Sequence, residues 1–330
     1  MFKRKKVGLA LSGGGARGLA HIGVLKILEK NKIPIDFIAG TSMGAFIGAM
    51  YSAGPNIKKL EKDFLDEPWK KSFDYNILPT QGLIKGDKIE KWLATKIGDI
   101  DFKDLRIPLF VTAFDLKSKR EVIFSKGNVT EAVRASISIP GVFVPLENNG
   151  RWLVDGEIID PIPSEILTKA GAEIIIAINV NAAIEKEPLL NETAVKKRDQ
   201  KKLPSILGTL LGSVQKEESR ISNYDLEDKN INLVINVYLN HVGMLEFEKI
   251  KFAIRAGEKA TKKSLIDIKN LFKQNYLASI IDKFDGKEKV EEVVAHIKDV
   301  GKTASLGKIL EPVEKLGKNK QLKRLVKTLK

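Results

Sequence analysis

The chain has 330 residues, of which 43% are hydrophobic and 30% charged, enough for one large core in a soluble protein, with or without an extension. Because it has no cysteine, disulfides, thiol catalysis and cysteine-ligated metal sites are excluded. Its net charge of +14 favours an anionic partner, which lipid, nucleic acid or another acidic ligand could satisfy.

Short apolar segments of strand character alternate with segments of helical spacing along most of the chain. Strands are predicted at residues 7–11, 35–39, 109–114, 121–124, 152–154, 174–179 and 231–237. Helices are predicted at residues 19–28, 45–53, 57–65, 88–97, 130–136, 164–170 and 257–272, with Thr130 as the cap of the fifth. This alternation predicts an α/β fold with a mostly parallel sheet.

The stretch of residues 37–57 carries no charge and has the length of a membrane-spanning helix. Its glycines Gly40, Gly44 and Gly48 also have the spacing that lets membrane helices pair. The polar, flexible sequence around Ser42 lies near the start, however, which favours a strand, a sharp turn and a helix. The basic N-terminus precedes an apolar run too short for a signal peptide, so we expect a cytoplasmic protein.

A glycine-rich turn lies between the first predicted strand and the first predicted helix, with the sequence Gly13-Gly14-Gly15-Ala16-Arg17-Gly18. Its spaced glycines satisfy a dinucleotide-binding pattern, which also needs an acidic residue at the end of the next strand. Asp36 has the right separation but begins that strand. Backbone N–H groups in such a turn can alternatively hold a developing oxyanion. The motif alone allows both functions.

A second turn between a strand and a helix has the G-x-S-x-G pattern of a serine nucleophile, in Gly40-Thr41-Ser42-Met43-Gly44. Small residues are needed on both sides of the serine because the strained turn brings neighbouring backbone close. A glycine-rich turn in which Ser42 caps the helix is the structural alternative. The apolar strand before the turn and the apolar helix after it favour Ser42 as a nucleophile.

A serine nucleophile needs a base, and the chain has three histidines. His21 has helical spacing among apolar residues, which is typical of a structural histidine. His241 follows a late strand, in the Ser-Asp-His order of α/β-hydrolases, and stays an alternative base. His296 lies in a basic segment where we expect it to be exposed.

The two turns and two later motifs together resemble the patatin-like phospholipases, chiefly their bacterial members. The first turn continues as Ala20-His21-Ile22-Gly23-Val24-Leu25. The later motifs are Ala135-Ser136-Ile137-Ser138-Ile139-Pro140-Gly141-Val142-Phe143, and Val154-Asp155-Gly156-Glu157 followed by Asp160-Pro161-Ile162-Pro163. They are similar to the segment before the family's catalytic aspartate and to its Asp-Gly-Gly or Asp-Gly-Ala motif. The resemblance covers residues 7–179 in order, and extends more loosely to 271.

The resemblance implies a three-layer α/β/α fold that hydrolyses phospholipids, lysophospholipids or related acyl esters without a metal or an organic cofactor. It implies Ser42 as nucleophile and Asp155 as the proton acceptor. It implies an oxyanion hole at Gly13, Gly14 and Gly15, with supporting positions at Arg17, Gly40, Gly44 and Gly156. A Ser-Asp-His esterase that uses His241 and a catalytically silent lipid-binding protein stay as alternatives.

The sequence departs from the family at Glu157, where Gly or Ala usually follows Asp155 and Gly156. A second carboxylate there could raise the pKa of Asp155 or point elsewhere. Arg17 could orient the oxyanion loop, meet a lipid phosphate or form a structural salt bridge. Asp160 is predicted to form a turn rather than to act in catalysis.

The C-terminal part differs in character, which predicts a hydrolase domain at residues 1–272 and a lysine-rich helical extension at 273–330. The polar segment 185–202 predicts a loop. Residues 318–330 predict an amphipathic helix with cations on one face and, on the other, Leu322, Leu325, Val326 and Leu329. This helix could contact an anionic membrane peripherally, pack on this chain or pack on a second copy. Nucleic acid is disfavoured because no recognition motif accompanies the charge.

Overall fold

The computed structural model describes residues 4–68, 73–74, 82–182, 230–239 and 241–283, with side chains up to residue 272. One compact unit spans Lys6–Ser264. The second unit, Met1–Lys5 with Leu265–Lys330, lies mostly outside the described residues. The predicted domain boundary at residue 272 stays a prediction.

Within these residues, eight strands form one sheet and helices flank it. The strands are β1 (Val7–Leu11), β2 (Phe37–Thr41), β3 (Leu109–Asp115), β4 (Arg120–Phe124), β5 (Leu146–Asn148), β6 (Arg151–Asp155), β7 (Ile174–Asn179) and β8 (Leu233–Asn236). The helices are α1 (Ala20–Lys30), α2 (Met43–Ala53), α3 (Ile57–Asp66), α4 (Asp87–Ile97), α5 (Val129–Ser136), α6 (Glu165–Lys169) and α7 (Ile250–Lys283).

The centre of the sheet is parallel, as predicted. β3, β2, β1, β7 and β8 are neighbours in that order and all run the same way. β4 and β6 pair antiparallel with β3, and β5 pairs antiparallel with β6. All five residues of β1 and all six of β7 are buried, as expected for strands covered on both faces.

Helices cover both faces of the sheet and make three layers. On one face, Leu167 of α6 packs with the small side chains of Ala10, Ala39 and Ala177. On the other face, α2 packs against β2 and β3, and α5 packs against β3 and β6. The architecture is therefore the α/β/α fold that the sequence predicts.

One feature of the sheet decides which residues meet at its carboxyl edge. β4 pairs with residues 111–115 of β3, so it occupies one side of that strand. β2 pairs with β3 as far as Thr41 opposite Thr112, and β6 pairs from Asp155 opposite Ala113. Since β4 occupies one side of β3, β2 and β6 must both pair with the opposite side of β3. They run in opposite directions there, so the carboxyl end of β2 lies next to the carboxyl end of β6. The turns after Thr41 and at Asp155 are thereby placed together.

Most predicted elements are present with shifted ends. β1 and β7 have their predicted bounds, whereas β2 begins at Phe37, directly after Asp36, whose carboxylate accepts the Val7 N–H at 2.7 Å. The cap of α5 is Asn128, whose side chain accepts the Glu131 N–H, and the prediction of Thr130 was wrong. The last predicted helix is part of the longer α7, and β5 was not predicted.

The uncharged stretch 37–57 forms β2, a turn and α2, which confirms the favoured interpretation. Among the described helices, none combines the length and the apolar character needed to cross a membrane. The predictions for His296 and for residues 185–202 and 318–330 lie outside the described residues.

Candidate active site

Ser42 occupies the sharp turn between β2 and α2. Its backbone has φ 53° and ψ −122°, a conformation that costs a residue with a side chain about 1–3 kcal/mol. Both flanking glycines are required by close backbone: a Cβ would lie 2.6 Å from Ala45 N at Gly40 and 2.2 Å from Leu11 O at Gly44. The Ser42 side chain makes no capping bond to α2, so the turn is not the serine cap of the structural alternative.

The Ser42 hydroxyl donates instead to the Asp155 carboxylate, with 2.6 Å between Oγ and Oδ2. Both side chains are only 2% exposed. The second oxygen of Asp155 accepts the Glu157 N–H at 2.9 Å, which fixes the orientation of the carboxylate. Burial raises the pKa of Asp155 to about 7, and the hydrogen bonds from Ser42 and Glu157 oppose that rise.

Two serines support this pair, Ser136 at the end of α5 and Ser138 just after it, although sequence reasoning gave them no role. Ser136 Oγ accepts the N–H of Ser42 at 2.8 Å, and Ser138 O accepts the N–H of Asp155 at 3.0 Å. The buried guanidinium of Arg134 donates to Ser138 Oγ at 2.7 Å. The resemblance of this segment to the family was the signal that could have pointed to them.

The glycine loop, which we define as residues 13–15, follows β1 at the same edge of the sheet. Gly14 has φ 135° and Gly15 has φ 54°, both in the region that favours glycine. The N–H of Gly13 donates to Pro161 O at 3.1 Å. Among the described residues, no acceptor is found for the N–H groups of Gly14 and Gly15.

Comparison with known proteins matches one part of this chain to a family. Residues 9–168 match the family model of the patatin-like phospholipases. This chain contains a patatin-like phospholipase domain. Over 188 residues it is 37% identical to an uncharacterised NTE family protein of Mycobacterium tuberculosis, covering 54% of this chain and 50% of that protein. The chain therefore spans about half the length of this mycobacterial relative.

Two further proteins are similar to the patatin-like chain. The lysophospholipase NTE1 of Candida albicans is 32% identical over 196 residues, which cover 57% of this chain and 14% of that protein. VipD from Legionella pneumophila, whose crystal structure is known, has 16% sequence identity to this chain. The two structures align with a TM-score of 0.47 over 99% of this chain and 87% of that one.

Beneath the glycine loop of the patatin-like domain lies a buried polar network. Glu157 Oε1 accepts from Asn181 Nδ2 at 2.7 Å, and Asn181 Oδ1 accepts from Arg17 Nη1 at 3.4 Å. Arg17 Nε also donates to Val242 O at 2.7 Å. Arg17 is 7% exposed and thus lies inside the protein. Sequence reasoning noted Arg17 and Glu157 separately and missed Asn181, which joins them.

An apolar pocket opens beside Ser42, with about 460 Å³ of non-atom space that includes open solvent. Apart from Ser42, its described lining residues are glycine or apolar, among them Met43, Phe46, Ile89, Ile137, Phe143 and Phe247. The rings of Phe64 and Trp92 pack behind Phe46, with centroids 5.8 Å from it. A cavity with these walls suits a hydrocarbon chain.

Neither of the two described histidines, His21 and His241, is hydrogen-bonded to the Ser42 hydroxyl. His21 is fully buried, its Nε2 lies 2.8 Å from Ser12 O, and burial lowers its pKa to about 4. It is therefore a neutral residue that donates to the backbone, as the structural interpretation predicts. His241 is exposed, and its carbonyl accepts from Lys249 Nζ.

Other predicted positions have structural roles. The N–H of Asp160 donates to Gly156 O at 2.9 Å, in keeping with a turn former. A Cβ at Gly156 would lie 2.7 Å from Thr112 O, so this glycine also permits close backbone packing. Asp36 lies at the amino end of β2, away from the glycine loop at the carboxyl edge, where a dinucleotide site would need it. In the described part of the chain, no three His, Asp or Glu side chains gather as a metal site requires.

Proposed function

We propose that this protein is a serine acyl-ester hydrolase that acts on phospholipids, lysophospholipids or related acyl esters. The observation that carries the proposal is the 2.6 Å bond between the Ser42 hydroxyl and the Asp155 carboxylate at a strained strand-to-helix turn. The patatin-like family, the similarity to a lysophospholipase and the apolar cavity support a lipid acyl substrate.

In the first half of the reaction, Ser42 Oγ attacks the carbonyl carbon of the ester and its proton passes to Asp155 Oδ2. The tetrahedral intermediate then collapses, and the leaving alcohol takes that proton from Asp155. An acyl group remains on Ser42. A base with a pKa of about 7 is matched to neutral pH because it can both accept and return the proton.

In the second half, water attacks the acyl-Ser42 carbonyl carbon and gives its proton to Asp155. Collapse of this second intermediate returns the proton to Ser42 Oγ and releases the fatty acid. Asp155 therefore acts first as base, then as acid, and repeats this cycle with water as the nucleophile.

Both intermediates carry an oxyanion, which needs hydrogen-bond donors already in place. The N–H groups of Gly14 and Gly15 are the donors we propose, because they have no described acceptor and Gly15 lines the cavity at Ser42. Gly13 is a weaker candidate than the family resemblance implies, because its N–H is bonded to Pro161.

The test is hydrolysis of a p-nitrophenyl ester series by the wild type, Ser42→Ala, Asp155→Asn and His241→Ala. We expect Ser42→Ala and Asp155→Asn to fold and to lose turnover, and His241→Ala to keep it. A fluorophosphonate should label Ser42 in the folded wild type. Loss of turnover in His241→Ala with activity retained in Asp155→Asn would overturn the dyad, and absence of both labelling and turnover would favour the silent lipid-binding alternative.

A further inference from the structure

Glu157 stands where the family usually has Gly or Ala, and its carboxylate is buried inside the protein. The residue is 2% exposed, and its Oε1 accepts from Asn181, which is itself only 6% exposed. A buried carboxylate is costly unless its oxygens are hydrogen-bonded. The bond from Asn181 satisfies Oε1, one of the two carboxylate oxygens.

The Glu157–Asn181 pair lies directly against the glycine loop. A Cβ at Gly13 would lie 2.4 Å from the carboxyl carbon of Glu157, and one at Gly14 would lie 2.9 Å from Asn181 Oδ1. Ala16, the residue after the loop, donates its N–H to Met244 O at 2.8 Å, and a Cβ at Gly15 would lie 2.4 Å from the same oxygen. The loop therefore contacts both the Glu157–Asn181 pair and the backbone of Met244.

The same residue touches the proposed base. Its N–H donates to Asp155 Oδ1 at 2.9 Å, while its carboxyl group supports the loop that carries the proposed oxyanion donors. Arg17 links Asn181 to Val242 O, so the network also reaches the segment of Met244, whose carbonyl accepts the Ala16 N–H. One residue therefore contacts both parts of the machinery, the first with its backbone and the second with its side chain.

From this geometry we infer that the Glu157 side chain is a positioning residue, which holds the glycine loop in register with the Ser42–Asp155 pair. The inference rests on the proposed hydrolase function. Donors to an oxyanion must be placed within about 0.5 Å, and a misplacement of about 1 Å can cost roughly 100-fold in rate. Removing the side chain leaves the backbone bond to Asp155 and takes away the support of the loop.

The experiment compares Glu157→Ala and Glu157→Gln with Glu165→Ala, which removes an exposed carboxylate on α6. Turnover of a p-nitrophenyl ester is measured per active site, after the sites are counted by complete fluorophosphonate labelling. For Glu157→Ala we expect kcat to fall roughly 10- to 100-fold, with KM within about threefold of the wild type. Glu157→Gln should recover most of this loss, because its amide oxygen can accept from Asn181 and its volume is similar.

The pH profile separates this role from an effect on the base. If Glu157 acts through the loop, the profile of kcat/KM against pH keeps the midpoint of its acid limb in Glu157→Ala, and only the plateau value of kcat/KM falls. A shifted midpoint with an unchanged plateau would overturn the inference in favour of an electrostatic effect on Asp155. A wild-type kcat per labelled site in Glu157→Ala would also overturn the inference, since a purely structural role lowers only the number of folded sites.

A double variant tests the contact itself. Gly13→Ala places a methyl group into the Glu157 carboxyl, and we expect little folded, active protein. Gly13→Ala with Glu157→Ala removes the clash and should recover folded protein relative to Gly13→Ala. Equal damage in the single and double variants would contradict the contact. A wild type that neither turns over esters nor labels would instead defeat the proposed function.

Discussion

Two glycine-rich turns follow neighbouring parallel strands, and they use their backbones in opposite ways. In the Ser42 turn, the N–H of Ser42 is occupied by the Ser136 hydroxyl and the side chain is presented to the cavity. In the glycine loop there is no side chain to present, and the N–H groups of Gly14 and Gly15 have no described acceptor. The same kind of sequence thus yields the proposed nucleophile in one turn and the proposed oxyanion donors in the other.

The glycines of the two turns are also required by different neighbours. At Gly40 and Gly44 the obstruction is backbone, which cannot move aside. At Gly13 and Gly14 it is the side chains of Glu157, Val180 and Asn181. The Ser42 turn is therefore constrained by the sheet and helix themselves. In the glycine loop, Gly13 and Gly14 face side chains from other segments, whereas Gly15 faces the backbone oxygen of Met244.

The largest effect is expected at Ser42, the proposed nucleophile. Ser42→Ala and Ser42→Gly should each lose on the order of 10⁴- to 10⁶-fold in kcat, because a nucleophile is removed. Ser42→Gly should also be more stable than Ser42→Ala by about 1 kcal/mol, since only glycine adopts φ 53° without strain. Turnover assays and urea unfolding measure the two effects. Equal stability of the two variants would show that the turn stores no strain.

The next effect concerns the backbone contact below this turn. In Gly44→Ala the new Cβ would lie 2.2 Å from Leu11 O and 2.6 Å from Ser12 O, so β1 and α2 would have to separate. We expect a loss of more than about 4 kcal/mol, or no folded protein. Gly54→Ala, at the end of the same helix, is the matched control because nothing lies within 4 Å of its Cβ. Thermal melting of both variants tests the difference.

The same contrast explains how far sequence could predict the site. Ser42 and its glycines form a local motif, and Asp155 was implied by the resemblance of a second local motif to the family. Ser136 lies in a segment that resembles the family, but its partner is 94 residues away, and nothing in the resemblance names the bond. Asn181 lies outside the resembling motifs, and its partner Glu157 is 24 residues away. No local pattern encodes such distances.

The fold was predictable where burial is uniform and less so elsewhere. β1 and β7 are buried on both faces and have the predicted bounds. β5 has three residues of intermediate or full exposure, so its apolar signal is weak, and it forms because β6 pairs with it. The meeting of β2 and β6 on one side of β3 is a tertiary arrangement that alternation alone does not specify.

A pH-dependent effect is expected at Asp155. The fraction of ionised base, and with it kcat/KM, should rise with pH around a midpoint of about 7. At pH values between 3.8, the ordinary carboxyl pKa, and about 7, the Asp155 carboxyl group is protonated in the folded protein and ionised in the unfolded chain. The contribution of Asp155 to stability therefore decreases as the pH rises through that window.

Asp155→Asn has no ionisable group at this position and should avoid that decrease. Its stability relative to the wild type should grow from pH 4 to pH 8 and reach a few kcal/mol, if the carboxyl group titrates with the raised pKa. Urea unfolding at several pH values measures the difference. A constant difference across this range would argue that the carboxyl group is not perturbed.

The smallest effect is expected at Ser136, and it bears most directly on the comparison of the two turns. Ser136→Ala leaves the Ser42 N–H buried without its acceptor, at a cost of about 1–3 kcal/mol in unfolding free energy. Ser52→Ala is the control, because its hydroxyl is equally buried on α2 and has no hydrogen-bond partner among the described residues. We expect that variant to stay within about 0.5 kcal/mol of the wild type. If Ser136→Ala were equally harmless, the Ser42 N–H would be as available as those of Gly14 and Gly15, and the two turns would differ only in the side chain that one presents.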